Sequence, residues 1–271
     1  MYTFSSKLKT FSFALMIVGL LGVAYGFLTT PNSVEDVKVM LAESHETHGE
    51  VATHNNEVKA TEVHEDMEYS DDTHAEHAYH YLKNKPWSAL YVALFFFFMI
   101  SLATLAFYAI QHAAQAGWSV VLFRVMEGIT AYLPVGGVLL FVFFVLSSLH
   151  LNHLFIWMDP EVVAHDELIQ NKAGYLNVPF FLARAAIYIG GWILYRQHAR
   201  KLTLAQDNAT PGDISNFTKL FKRSAAFLVF FLVTESMMSW DWIMSVDAHW
   251  FSTLFGWYVF ASMIVSAVTT I

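Results

Sequence analysis

The sequence predicts an all-α integral membrane protein with about six transmembrane helices. Of its 271 residues, 56% are hydrophobic and only 14% are charged, which is too apolar for an ordinary soluble domain. A helix needs about 20 mostly apolar residues to cross the hydrocarbon core of a bilayer, and six runs have roughly this length. They are residues 11–30, 87–111, 119–149, 175–195, 224–246 and 251–271.

These runs divide the chain into four segments. The first run follows Lys7 and Lys9 and has no cleavage site of small residues, so residues 1–30 are interpreted as a retained membrane anchor. Residues 87–246 are expected to form a four-helix bundle, with a kink or break at Pro134 in the overlong third run. Residues 247–271 would begin a further span that reaches the last residue, so we expect the sequence to be part of a longer protein.

The segment 31–86 is acidic and rich in histidine. It holds 13 of the 23 acidic residues, 4 of the 15 basic residues and seven of the 13 histidines. With few large apolar residues it cannot bury a core, and it is interpreted either as a solvated segment or as a metal-gathering loop. The last three of these histidines are alternatively the first turns of a helix that leads into the second span. The seven are His45, His48, His54, His64, His74, His77 and His80.

Lysine and arginine in the loops predict the orientation, because cytoplasmic loops carry the excess of these residues. Six of them lie between residues 196 and 223, whereas the loop 150–174 has one lysine and four acidic residues. We therefore expect a cytoplasmic N-terminus and an extracytoplasmic His-rich segment. The six are Arg196, Arg200, Lys201, Lys219, Lys222 and Arg223.

Ionisable residues inside the predicted spans are the main chemical signal, because such groups need a partner or a water-filled route. Arg124 and Glu127 are three residues apart and should pair on one helix face. Arg184 and Glu235 lie at the midpoints of their runs, so they are predicted to be partners across two helices. Such a pair would either fix helix packing or serve a function.

Two functions could use these groups. In the first, Glu127, Glu235, Asp241 and His249 line part of a transmembrane proton path, with waters between them. In the second, residues near the outer face form a quinol pocket, in which aromatic rings hold the quinol and polar groups accept its protons. The candidates for this pocket are His150, His153, Asp159, Trp240 and Trp242, together with Asp241, His249, Trp157 and Trp250.

The stretch MSWDWIMSVDAHWFSTLFGW, residues 238–257, carries a family resemblance. It resembles the signature region of the second quinone-binding-type membrane subunit of alternative complex III, in the polysulfide-reductase membrane-subunit superfamily. That complex is a bacterial quinol:cytochrome c oxidoreductase. The resemblance implies a protein of about ten helices with two four-helix bundles, in the bacterial inner membrane. By motif position it points to Glu235, Asp241, Asp247 and His249 as the functional residues, mainly for a proton path.

The resemblance also implies redox partners. These are a sister membrane subunit, periplasmic c-type cytochrome subunits and an iron–sulfur subunit, and lipid is the remaining partner of the chain. The chain has no cysteine, so it holds neither covalent c-type haem nor a cysteine-ligated iron–sulfur cluster, and haem and clusters would belong to those partners. Quinol or quinone is the one ligand expected here, and the chain would not be catalytic alone.

Two other functions stay open. A metal-ion transporter would use the His-rich segment as a collector, but it would need ligand pairs inside the spans, and none is evident. A structural anchor for extrinsic redox subunits would need none of the buried charges. Nucleic-acid binding is not expected, because neither part of the chain has a basic excess.

Overall fold

The computed structural model describes residues 5–31, 33–40 and 71–271, and these are helices joined by loops. The helices are α1 (Ser6–Leu28), α2 (Asp71–Ala113), α3 (Phe123–Ile129), α4 (Leu133–Ser148), α5 (Pro160–His165), α6 (Glu167–Lys172), α7 (Val178–Asp207), α8 (Ser215–Met238) and α9 (Phe255–Thr270). The backbone at 34–40 is also helical. The chain divides into two compact units, Met1–Leu90 and Tyr91–Ile271.

The chain is an all-α, multi-pass membrane protein. Five helical segments in the described residues are long and apolar enough to cross a bilayer, and they match the first five predicted runs. They are Ser6–Leu28, Tyr81–Ala113, Val120–Ser148, Val178–Asp207 and Ser215–Val246. The sixth predicted run forms the shorter apolar helix α9, of 16 residues.

In the first unit, α1 is apolar on every side. The Ser5 hydroxyl caps its N-terminus by accepting a hydrogen bond from the Leu8 amide at 3.3 Å. Its helical residues leave their side chains largely exposed, as expected of a helix that contacts lipid or other membrane helices. At the other end of this helix the Phe27 ring meets the Trp87 ring edge-on at 5.0 Å.

The helix α2 begins at Asp71, well before its apolar part, so the prediction that His74, His77 and His80 belong to the foot of a helix is confirmed for the backbone. The other four histidines of the segment, His45, His48, His54 and His64, lie outside the described residues.

The third span is interrupted, as predicted. Its α-helical parts α3 and α4 are separated by a 3₁₀ turn at Thr130–Tyr132. Pro134 lies in the first turn of α4, where its missing amide hydrogen leaves no intrahelical bond unmade.

In the second unit, the bundle is held together by buried aromatic rings. Trp242 is fully buried, and the rings of Phe144, Trp192 and Phe98 lie 5.1, 5.9 and 6.1 Å from it. The Tyr91 hydroxyl donates to the Trp242 carbonyl at 2.6 Å. These contacts join α2, α4 and α7 to the end of the last long span.

Glycine permits close helix approach at Gly137. A Cβ there would lie 2.7 Å from Cγ2 of Ile189, so any larger residue would push α4 away from α7. The helices α7 and α8 run antiparallel and pack along their lengths. The result is a bundle with two distinct ends.

We name the two ends by their residues. The basic end carries residues 196–223, where α7 finishes and α8 starts. The opposite end carries residues 149–177 and 247–254, which include α5 and α6.

Candidate functional site

A buried carboxylate, Glu127, lies near the basic end with four side-chain donors around it. Arg124 Nη1 is 2.6 Å and Arg200 Nη1 is 3.3 Å from Oε2. The hydroxyls of Thr203 and Tyr108 donate to Oε1 at 2.7 and 3.2 Å. Only 5% of the Glu127 side chain is exposed.

The predicted pairing of Arg124 with Glu127 is therefore confirmed. Arg124 also pairs with Asp207, which is more exposed, at the end of α7. The contacts of Tyr108, Arg200 and Thr203 with Glu127 were not predicted. Each comes from another helix, so spacing along a single helix could not reveal them.

The second buried ion pair joins Arg184 of α7 to Asp241. Arg184 Nε donates to Oδ2 at 2.7 Å and Nη2 donates to Oδ1 at 2.9 Å. The two side chains are 4% and 0% exposed. The Tyr188 hydroxyl also donates to Asp241 Oδ2 at 3.2 Å, and the Ser245 hydroxyl donates to the Asp241 carbonyl.

The prediction that Arg184 pairs with Glu235 is wrong. It assumed that residue 184 lies halfway along its helix, but α7 extends from Val178 to Asp207, so Arg184 lies in its second turn. At that depth it meets Asp241 and not Glu235. Its third nitrogen, Nη1, donates to the Tyr175 carbonyl at 3.1 Å, which also draws it toward the opposite end.

Asp241 lies in a π-helical turn, Ser239–Ile243, that follows α8. Such turns are rare and are frequent at functional sites. The turn changes the helical register between Glu235 and the residues beyond it. A 3₁₀ turn, Met244–Val246, then ends the span.

Two hydrogen-bonded pairs lie between the Glu127 cluster and the Arg184–Asp241 pair. Trp192 Nε1 donates to the Thr234 hydroxyl at 3.0 Å. The Tyr195 and Ser224 hydroxyls are 2.7 Å apart. All four side chains are buried between α7 and α8.

We call this series the buried polar file. It consists of Arg184–Asp241, Tyr188, Trp192–Thr234, Tyr195–Ser224 and the Glu127 cluster. On α7, Arg184, Tyr188, Trp192 and Tyr195 are three or four residues apart, which places these four on one helix face, and Arg200 follows five residues later. From Arg184 to Arg200 there are 16 residues, or about 24 Å at roughly 1.5 Å per residue.

Glu235 is buried beside Thr234 and only 2% exposed. Its Oε1 atom has no hydrogen-bond partner among the described residues. A buried carboxyl oxygen without a donor is unfavourable, so the site favours either a protonated carboxyl group or a bound water. Glu235 is thus the member of the predicted proton path that no ion pair holds.

At the opposite end, two contacts fasten residues 247–251 to α6. His249 Nε2 lies 2.6 Å from Asp166 Oδ2, and Lys172 Nζ donates to the Ala248 carbonyl at 2.5 Å. Asp166 also caps α6 by accepting the amides of Leu168 and Ile169. The Ile169 amide, and then the His249 ring, keep the pKa of Asp166 below its usual value. Asp247, by contrast, is 70% exposed.

A cavity of about 370 Å³ opens beside these contacts. Its walls include Lys172, Tyr175, Trp240, Asp247 and Trp250. The Tyr175 hydroxyl is buried and has no hydrogen-bond partner among the described residues, and burial raises the pKa of this phenol. The cavity therefore combines flat aromatic walls with polar groups.

The predicted quinol-site residues do not all converge on this cavity. Trp240 lines it, but Trp242 is fully buried in the bundle core. His153 faces Asp159 at 3.5 Å, and Asp159 also caps α5 through the Glu161 amide. His150 is exposed in a left-handed conformation with φ of 58°. Neither histidine lines the cavity.

In the described residues, no group of three or more His, Asp or Glu side chains is arranged to hold a metal ion. A scan against protein-family models finds no match to this chain, and a search of curated proteins finds no significant similarity.

Proposed function

We propose that the chain is a membrane subunit of a bacterial respiratory quinol:cytochrome c oxidoreductase of the alternative complex III type, and that it contributes a transmembrane proton path. The buried polar file is the observation that carries this proposal. Its ionisable and hydroxyl groups follow one another over about 24 Å along α7, a length comparable to a hydrocarbon core about 30 Å thick.

The free-energy cost of the file favours a functional role. Burying a charge in a bilayer costs at least about 2.5 kcal/mol even on the most lenient scale, and a buried ion pair often stabilises no more than apolar residues would. A structural anchor needs neither a buried charge nor a buried ion pair. A path for protons needs titratable or hydroxyl groups at intervals that one or two waters can bridge.

The residues have different roles in this path. Asp241 and Glu127 are each held by arginine, so they set the electrostatic potential at two depths. Glu235 has an unpartnered oxygen and is the best placed to gain and lose a proton. At the opposite end, Asp247 and His249 lie outside the core, where they would exchange protons with water.

The excess of lysine and arginine at residues 196–223 supports a cytoplasmic basic end. The opposite end and the His-rich segment would then be periplasmic, in a bacterial inner membrane. Periplasmic c-type cytochrome subunits, an iron–sulfur subunit and a sister membrane subunit would be the partners, and electrons would pass through them. The chain itself supplies no cysteine for such centres.

A quinol pocket is the second candidate function, and the cavity at the opposite end favours it. Trp240 and Trp250 offer flat apolar surfaces, while Lys172 and Asp247 offer hydrogen-bonding groups. At about 370 Å³ the cavity has the size of a small-ligand site. A quinol head group bound there would lie near Arg184–Asp241, because Tyr175 contacts Arg184.

The two rival functions are less well supported. A metal-ion transporter would need ligands in the spans, and the described residues offer no such cluster. A structural anchor leaves the unpartnered Glu235 carboxyl oxygen without an explanation.

Isolation from native membranes tests the assignment. The tagged protein is extracted in mild detergent, the co-purifying chains are identified by mass spectrometry, and a reduced-minus-oxidised spectrum is recorded. We expect stoichiometric c-type haem together with an iron–sulfur subunit and a second membrane subunit. A colourless protein isolated alone, which binds zinc at the His-rich segment, would contradict the proposal and favour the transporter.

A further inference from the structure

A second cavity, of about 270 Å³, lies at the basic end of the bundle. It is bounded by α2, α3, α7 and α8, and its walls include His112, Phe123, Glu127, Asp207 and Phe217. His112 is not among the functional residues predicted from the sequence. The inference drawn below depends on the proposed proton path, because this cavity adjoins the Glu127 cluster.

His112 is the unusual wall residue. It is 3% exposed, and neither of its ring nitrogens has a hydrogen-bond partner among the described residues. Its ring packs against the rings of Tyr108 and Phe123, with centroids 4.4 and 4.3 Å away. A neutral imidazole has one donor and one acceptor, and both are unfavourable when buried without partners.

The cavity is large enough to hold water molecules. A water molecule needs only about 10–15 Å³ of such space and two to four polar neighbours. The walls offer suitable groups on each helix: Arg124 and Glu127 on α3, Thr203, Gln206 and Asp207 on α7, and Asn216 on α8. The cavity therefore has room for water beside the His112 ring, whose two nitrogens are covered in this structure.

The charged neighbours of His112 are already engaged with one another. Glu127 accepts hydrogen bonds from four side chains, and Arg124 bridges it to Asp207. Glu127 cannot take a proton without breaking these ion pairs. His112 takes part in no ion pair. It lines the cavity, and its ring also contacts Tyr108, whose hydroxyl donates a hydrogen bond to Glu127.

We infer that His112 is the proton-exchanging side chain at the basic end of the path and that the 270 Å³ cavity is its water-filled vestibule. One ring nitrogen takes up a proton from a hydronium ion in the cavity, which leaves a neutral water molecule and gives an imidazolium ion. The other nitrogen then gives its proton to a water molecule on the path toward the Glu127 cluster, which restores the neutral ring. Glu127 lies close by and stabilises the transient positive charge.

The test uses the assembly purified from native membranes and reconstituted in vesicles. His112→Phe keeps the aromatic packing but removes both nitrogens, and His112→Gln keeps hydrogen bonding without a titratable group. The matched control is His198→Gln, since His198 is an exposed histidine on the last turns of α7. We expect both His112 variants to slow proton translocation at least tenfold and the control to leave it unchanged.

Two further measurements separate this role from a packing role. In His112→Ala, added imidazole should restore translocation in a concentration-dependent way, which a purely structural side chain would not allow. In protein with ¹⁵N-labelled histidine, one titrating ring signal should disappear in His112→Phe. Unchanged translocation in His112→Gln, or a ring that keeps one protonation state from pH 4 to 9, overturns the inference.

The outcome also distinguishes this inference from the proposed function. If Glu235→Gln slows translocation and His112→Gln does not, the path stands and His112 is not part of it. If neither variant slows translocation in an assembly that transfers electrons at the normal rate, the proposed path is itself wrong.

Discussion

The Arg184 guanidinium and the Asp241 carboxylate meet in a two-pronged ion pair, at 2.7 and 2.9 Å, with both side chains almost fully buried. The pair ties α7 to the π-helical turn near the end of the last long span. It also fixes the position of Tyr188 and, through the Tyr175 carbonyl, the wall of the cavity at the opposite end.

Removing one partner of this ion pair should destabilise the bundle strongly. Asp241→Asn leaves the Arg184 charge buried without a counter-charge, and we expect a loss of about 3–5 kcal/mol in unfolding free energy. Denaturation in detergent, followed by tryptophan fluorescence, measures it. The double variant Arg184→Met, Asp241→Leu leaves no charge unpaired and should recover most of the loss. A single variant as stable as the wild type would show that the pair contributes little.

The close approach of α4 to α7 predicts a steric effect at Gly137. Gly137→Ala places a methyl group 2.7 Å from a methyl of the buried Ile189, and we expect a loss of about 1–3 kcal/mol. Gly190→Ala is the control, since a Cβ there meets nothing within 4 Å. That variant should be neutral or stabilising, because alanine favours a helix more than glycine. Equal thermal stability of the two variants would contradict this packing.

The loop at the opposite end should lose order in acid. The pKa of Asp166 is lowered in the folded protein, so its carboxylate stabilises the start of α6 above pH 4 and loses this effect as the pH falls below its usual value of 3.8. Hydrogen exchange of residues 160–173, corrected for intrinsic rates, measures the change. Asp166→Ala should show low protection throughout, while Asp159→Ala should keep the pH dependence of α6. A wild-type protection that is flat from pH 6 to pH 3 would refute it.

The quinol pocket predicts a role for Trp240 in ligand binding. Trp240→Ala removes an aromatic wall of the cavity, and a loss of about 1.4 kcal/mol would weaken binding of a quinol analogue about tenfold. Trp257→Ala is the control, because Trp257 is an exposed tryptophan on α9 that does not line the cavity. Analogue binding to the purified assembly is measured by titration calorimetry. Equal affinity of the two variants would show that the quinol analogue does not bind in this cavity.

The sequence alone predicted the helical class, the long spans and the break near Pro134, because apolar runs and proline act locally. It also predicted the Arg124–Glu127 pair, whose partners are three residues apart on one helix. It did not predict the partner of Arg184. The partner depends on how far α7 extends beyond its apolar run. Because the last turns of α7, up to Asp207, are polar, the apolar run ended too early and its midpoint was not the midpoint of the helix.

The remaining members of the buried polar file come from side chains that meet across helices. Tyr188, Trp192 and Tyr195 follow Arg184 at helical spacing, and this pattern on α7 was a usable signal. His112 could not be recognised from its spacing in the sequence, because what distinguishes it is that neither ring nitrogen has a hydrogen-bond partner among the described residues. The π-helical turn at Asp241 likewise has no sequence signature that we recognise.

The most direct test of the account is the number of protons moved per electron by the reconstituted assembly, compared between the wild type and Glu235→Gln. The substitution keeps the size of the side chain and removes only its ability to hold and release a proton. Glu167→Gln, an exposed residue of α6, is the control. We predict that Glu235→Gln lowers the proton-to-electron ratio severalfold while the control matches the wild type. An unchanged ratio at an unchanged rate of electron transfer would contradict the proton path.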